Sequence, residues 1–206
     1  MVEFWTLMAF IPAGLALNLS PGADMMFCLG LGLRSGPKAA VAASAGISTG
    51  SMVHVALAGL GLGAVVAALP WMFDVIRWVG VAYLLWLAWG ALRAGPVARA
   101  EVQPVPARQA FRDGMVVNLL NPKVILFVLA FLPQFVDPAQ GSILGQFLIF
   151  GLVLAVGGFC INGGVGIFAG ALRRRLTGPR FARGLGLVSA GIFAALAARL
   201  AIMERA

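Results

Sequence analysis

Apolar residues in this chain do not alternate with polar ones; they run. Six apolar stretches cover roughly residues 4–32, 39–69, 71–92, 114–135, 142–171 and 183–203. A helix that crosses a bilayer needs about 20 mostly apolar residues, and every stretch meets that length. In lipid only helices and closed barrels satisfy all backbone polar groups. The period-two alternation of barrel strands is missing. The pattern therefore predicts an all-α, polytopic membrane protein with about six transmembrane helices. The second and fifth stretches exceed what a bilayer needs, which predicts tilt, kinks or turns outside the membrane.

The segment Gly95–Gln109, rich in Pro, Ala and Arg, divides a single transmembrane domain into halves of about 4–94 and 110–203. The halves resemble each other. A shift of 101 residues lays Phe10, Ala13 and Pro21 on Phe111, Gly114 and Pro122, and Ser20 on Asn121. Near the ends of the halves a shift of 106 lays Arg77, Gly80 and Arg93 on Arg183, Gly186 and Arg199. Three helices per half is an odd number, so the second copy enters the membrane from the opposite side. The expectation is two inverted three-helix repeats, an architecture common among transporters.

Composition agrees with the pattern. The chain is 61% hydrophobic and 11% charged, against roughly 45–50% and about 25% in soluble domains. It has too few polar side chains to cover a soluble surface. The net charge of +8 reads as cytoplasmic loops rich in Lys and Arg, not as a nucleic-acid footprint. The first, third and fifth connections carry eleven basic residues: Arg34, Lys38, Arg93, Arg99, Arg108, Arg112, Arg173, Arg174, Arg175, Arg180 and Arg183. The opposite side has Arg77, Arg199 and Arg205. This asymmetry puts the odd connections in the cytoplasm and both termini in the periplasm. Trp5 and Trp71 then fall near the outer interface and Trp89 near the inner one. The first stretch, preceded by Glu3 and no basic residue, is too long for a signal-peptide core. Cys28 and Cys160 lie inside apolar stretches and read as small packing residues, not as a disulfide.

Two ionisable residues lie deep in apolar stretches. Asp24 is ten residues before Arg34, and Lys123 is eleven after Arg112. At about 1.5 Å per helical residue both lie roughly 15 Å from the cytoplasmic edge. A charge at the centre of a spanning helix costs about 2.5–3.5 kcal/mol even on the lenient insertion scale. Either the two form a neutralising pair that only joins spans one and four, or they belong to a substrate or proton route. Their surroundings favour the route. Pro21 and Pro122 remove backbone donors and disturb the preceding turn, and Gly22 loosens the first break. Asn18, Ser20, Asn118 and Asn121 add polar groups. Broken helices free carbonyls and amides that can hold a zwitterion where they line a cavity. Lys123 and a half-helix N-terminus suit a carboxylate; Asp24 and freed carbonyls suit an ammonium. His54 reads as a proton relay or as a neutral side chain bonded to a neighbouring helix. Asn162 reads as a cavity residue or a helix bridge. The spacings Gly46/Gly50, Gly59/Gly63 and Gly166/Gly170 read as close helix packing. No metal cluster, phosphate loop or nucleophile–base pair is visible in the sequence, so neither an enzyme nor a cofactor is expected.

The chain resembles the LysE/RhtB family of bacterial amino-acid exporters from about Phe4 to Leu200. The resemblance rests on Ser20-Pro21-Gly22-Ala23-Asp24, Asn121-Pro122-Lys123 and Phe131-Leu132-Pro133-Gln134-Phe135. The Gly46–Gly50 region and the Gly80…Tyr83-Leu84 stretch fit more loosely. Family members usually carry a second proline where this chain has Ala23, which leaves the first break less rigid. The resemblance implies export of amino acids or close derivatives across the inner membrane, driven by protons, and leaves room for a homodimer. An uptake carrier or a channel for another small solute or ion is the alternative that spans and charges leave open. A membrane-embedded enzyme and a structural bundle fit the central residues less well.

The orientation is testable. A reporter fused after Ala206 should be active only when it is of a type that works in the periplasm; activity of a cytoplasmic reporter at that position would undo the inverted repeat.

Overall fold

The computed structural model describes residues 2–68 and 105–169 continuously, together with scattered positions in 75–93 and 183–201. The described residues contain no strand. The third and sixth apolar stretches fall mostly outside them, although every described position within 75–93 and 183–201 is helical.

The first stretch is not one helix but two. Helix α1 spans Phe4–Leu19 and α2 spans Ala23–Ser35, with a 54° bend between them. The fourth is also divided. Helix α4 spans Ala107–Leu119 and α5 spans Pro122–Leu126; a π turn (Phe127–Phe131) and a 3-10 turn (Leu132–Phe135) carry α5 onward, and the bend is 53°. Between the two bent pairs α3 runs unbroken over Pro37–Ala68, and α6 covers Ile143–Ile167. Helices α3 and α6 are long and apolar enough to cross a membrane, and each bent pair is so if it counts as one span. Helix α4 begins at Ala107 rather than near 114. The early turns carry Arg108, Arg112 and Asp113, which ended the apolar pattern without ending the helix, so the connecting segment ends before Ala107 rather than at Gln109.

Local chemistry explains the breaks. The residue before a proline is pushed out of the helical region by the pyrrolidine ring. Ser20, before Pro21, has φ −63° and ψ 121°; Asn121, before Pro122, has φ −79° and ψ 105°. A proline alone does not produce this. Pro12 lies inside α1 with its ring on the exposed face, and the helix passes through it. The α2–α3 turn needs one residue, Gly36, at φ 83°, a conformation that side chains rarely tolerate. Ser142 starts α6 by accepting a hydrogen bond from Gly145 N–H at 3.1 Å, an N-cap.

Helix α3 is the spine, packed between α4 and α6. Small residues let the backbones meet. A Cβ on Gly46 would strike the Phe111 carbonyl, and one on Gly114 would strike the Ala43 carbonyl, so α3 and α4 touch backbone to backbone. Gly166 likewise faces Ala40, and Gly59 faces Phe147. The packing reading of Gly46, Gly50, Gly59 and Gly166 matches these contacts; Gly170 lies outside the described residues. Ser44 and Ser48 add cross-helix bonds, donating to the Phe159 and Ala155 carbonyls of α6 at 2.9 Å each. Two apolar layers result. One is aromatic: Phe10, Phe127, Phe131, Phe135 and Phe150 pack with neighbouring centroids 4.7–6.3 Å apart. The other is built from small and aliphatic side chains, Cys28, Leu31, Ala39, Ala43, Ile47 and Ala110. On α3, Ser48 and Ser51 fall between Ile47 of the second layer and Val55 of the first. Large apolar residues such as Trp5, Leu57, Leu60 and Leu152 point outward, as lipid contact allows.

Glycine substitutions should separate these roles. Gly46→Ala is expected to force α3 from α4 and lower the unfolding midpoint in detergent by several degrees. Gly61→Ala, where a Cβ meets nothing within 4 Å, should leave the midpoint unchanged or raise it slightly, because Ala favours a helix by up to about 1 kcal/mol over Gly.

Candidate substrate and ion site

The two breaks face one small cavity. Leu17, Asn18 and Ser20 line it from α1 and its end; Asp24 and Met25 from α2; Ile47, Ser48 and Ser51 from α3; Lys123 and Val124 from α5; Leu154, Gly158 and Asn162 from α6. Its volume is about 10 Å³, room for about one water. An amino acid would enter only if the helices moved.

Lys123 does not pair with Asp24. No ion pair within 4.0 Å joins them, so the simple neutralising pair is not the arrangement found. The Lys123 ammonium instead donates to the carbonyls of Leu17 at 2.8 Å and Ser20 at 2.9 Å. These are last-turn and cap carbonyls of α1, which carry partial negative charge at a helix C-terminus. The carbonyls freed by the first break are thus held by Lys123 from the second. Gly22 makes the approach possible. Its backbone is ordinary extended chain, but a Cβ there would come within 3.1 Å of the Lys123 Nζ. Asn121 caps α5, its side-chain oxygen accepting from Lys123 N–H at 3.1 Å. Pro122 occupies the first turn, where a missing N–H costs nothing.

Asp24 sits in the first turn of α2, where the helix dipole favours a negative charge. One carboxylate oxygen, Oδ2, accepts from the Asn118 side-chain amide at 2.9 Å. The other, Oδ1, is buried without a partner. Asn118 is fully buried and serves as a hub. Its Oδ1 accepts from the Ser51 hydroxyl at 3.3 Å, and its backbone carbonyl lies 3.3 Å from His54 Nε2. His54 is therefore bonded to a neighbouring helix, the blander of its two readings, and does not line the cavity. Asn18 donates to the Leu154 carbonyl at 3.1 Å and lies against Gly157 and Gly158. Asn162 lines the cavity, and its Oδ1 has no partner. The Asn121 side-chain amide is also buried without an acceptor.

Asp24, Lys123, Ser20, Asn18 and Asn162 thus share one cavity, with Gly22 against Lys123 and Asn118 behind Asp24. Pro21, Asn121 and Pro122 shape the breaks. Sequence reasoning missed Ser48 and Ser51, which line the cavity. The signal was available: Ser44, Ser48 and Ser51 recur at helical spacing on one face of an apolar helix.

The family description "LysE type translocator" matches residues 15–204. The chain belongs to that family. It is 32% identical over 208 residues to the homoserine/homoserine lactone efflux protein of Salmonella typhimurium, covering 99% of this chain and 98% of that protein. It is 31% identical over 210 residues to the leucine efflux protein of an Enterobacter species, covering 98% and 97%. An uncharacterized membrane protein of Vibrio cholerae shares 30% over 181 residues, 86% of either chain. No solved structure matches the chain. It is a multi-pass membrane protein of a translocator family.

Asn118→Ala would leave the Asp24 Oδ2 and the Ser51 hydroxyl without a partner. Each orphaned buried group costs about 1–3 kcal/mol, so the unfolding midpoint in detergent should fall clearly. Ser51→Ala, which removes one long bond, should fall much less.

Proposed function

We propose that the chain exports amino acids or close derivatives across the bacterial inner membrane in exchange for protons. The observation that carries this reading is the buried, unpartnered Asp24 Oδ1 in a cavity between two broken helices. The printed names of the relatives, efflux of homoserine, its lactone and leucine, support the substrate class and direction. Nothing in the reading requires a chemical reaction on the substrate.

The substrate ammonium binds Asp24 Oδ1, with Asn162 Oδ1 as a second acceptor. The carboxylate, where there is one, takes the remaining N–H of Lys123. A proton and an ammonium compete for the same Asp24 oxygen, so each expels the other. That competition converts a proton gradient into efflux once the site opens alternately to the two sides. A cavity of this size fits a state of the cycle that holds no substrate. The two bent pairs, 54° and 53°, support an inverted repeat with halves of about 4–94 and 110–203, and the excess of Lys and Arg in the odd connections supports both termini in the periplasm. A homodimer is compatible with the outward apolar faces.

Asp24→Asn can keep the bond from Asn118 and should fold and insert normally, yet lose proton-driven efflux of amino acids from loaded vesicles. Lys123→Met should also lose efflux. If the two charges only neutralised each other, the double variant Asp24→Asn with Lys123→Met would transport. Near-normal efflux by that double variant would remove both residues from the mechanism. Uptake instead of export in wild-type vesicles under the same gradient would reverse the direction assigned here.

A further inference from the structure

Carbonyls at the C-terminal end of a broken half-helix are the groups that coordinate free monovalent cations in carriers built on broken helices. In this chain the corresponding carbonyls, Leu17 O and Ser20 O, are occupied by a side chain. The Lys123 ammonium lies 2.8 and 2.9 Å from them. The unpartnered Asp24 Oδ1 lines the same cavity. The local field calls for one positive charge: the end of α1 contributes about −0.5 and the start of α2 about +0.5, and the Asp24 carboxylate adds a full negative charge nearby. Gly22 leaves open the space the ammonium fills. The lysine comes from the other half of the chain, so its cation ties the first break to the second.

We infer that the Leu17 and Ser20 carbonyls, in the field of the Asp24 carboxylate that lines the same cavity, form a monovalent-cation site whose built-in occupant is the Lys123 ammonium. The side chain does the work that a free cation does elsewhere. Two consequences follow. The native protein needs no added monovalent cation to hold its first break. Removal of the side chain, leaving space, makes the protein depend on one. The inference refines the site of the proposed exporter, but its first readout is independent of transport.

The experiment compares wild type, Lys123→Ala and Lys123→Met in detergent at equal ionic strength in ammonium, potassium, sodium or choline chloride. Lys123→Ala opens the site, so ammonium, or a metal cation of similar size, should raise its unfolding midpoint relative to choline, which is too large to enter. Wild type has its own cation and Lys123→Met fills the space with methylene and sulfur, so neither should respond. A Lys123→Ala midpoint equal in all four salts would overturn the inference. Lys123→Arg and Lys123→Met decide the matter if Lys123→Ala does not fold: Arg should hold the wild-type midpoint and Met should lose it, whereas a Met variant as stable as wild type overturns the inference. A transport arm follows. Efflux by Lys123→Ala should be reduced by about tenfold or more and should recover with the cation that stabilises it. If wild type moves no amino acid while the thermal pattern holds, the proposed function fails and the cation site stands.

Discussion

The structure depends on where the Lys123 ammonium goes. Breaking α1 at Ser20 leaves buried carbonyls at its end, and placing a lysine inside an apolar stretch leaves a buried charge. Each is costly alone. A lysine at the centre of a spanning helix costs about 2.5–3.5 kcal/mol on the insertion scale. Two hydrogen bonds from a charged donor contribute about 1.5–3 kcal/mol each, enough to offset the charge while satisfying the carbonyls. Two unfavourable features thus cancel through contacts at 2.8 and 2.9 Å. That accounts for the tolerance of an open backbone here, since irregular chain survives at membrane depth only inside protein.

The contact also needs the rest of the bundle to be tight. Leu17 and Lys123 lie on different helices; α1 packs on α6, and α6 packs on the α3 spine. Gly46 and Gly114 bring α3 and α4 to backbone contact, and Ser44 and Ser48 fasten α3 to α6. Asn118 then reaches Asp24 from α4. The layers that enclose the cavity are unequal. On one side five phenylalanines from three parts of the chain interlock; on the other mostly small side chains meet. At about 25 cal/mol per Å² of apolar surface, separating the aromatic layer exposes more area and costs more.

Helices and breaks were legible because they are local. Apolar runs define spans, and a proline beside a polar residue marks a local break where Pro12, among apolar residues, does not. The breaks at Ser20-Pro21 and Asn121-Pro122 could therefore be read directly. The start of α4 was not legible, because a helix continues past the apolar boundary as long as Arg108 and Arg112 can reach water. The partners of the two charges were not legible either. Opposite charges at one depth suggest a pair, yet which groups meet depends on helix rotation and bend. Asn118 stood out as polar but not as a hub, since its threefold role needs Asp24, Ser51 and His54 brought together from two other helices. The packing of Gly46 and Gly166 was readable from spacing; the lack of any neighbour at Gly61 was not, because the same pattern describes packed and lipid-facing glycine.

The separation of Asp24 from Lys123 matters more for function than a pair would. A direct pair at this depth would be neutral and satisfied, with no capacity left for a ligand. Here each charge is balanced by fixed dipoles instead. Lys123 faces the end of α1, and Asp24 sits at the start of α2 with one Asn118 bond. Both dipoles belong to the same broken helix, one on each side of Pro21, so the break itself supplies the compensation. The balance at Asp24 is incomplete by one oxygen. An unpaired buried acceptor is unfavourable in a protein that only needs to be stable. It is useful in one that must bind a cationic group and release it, because the binding energy is available yet the empty site does not collapse into a salt bridge.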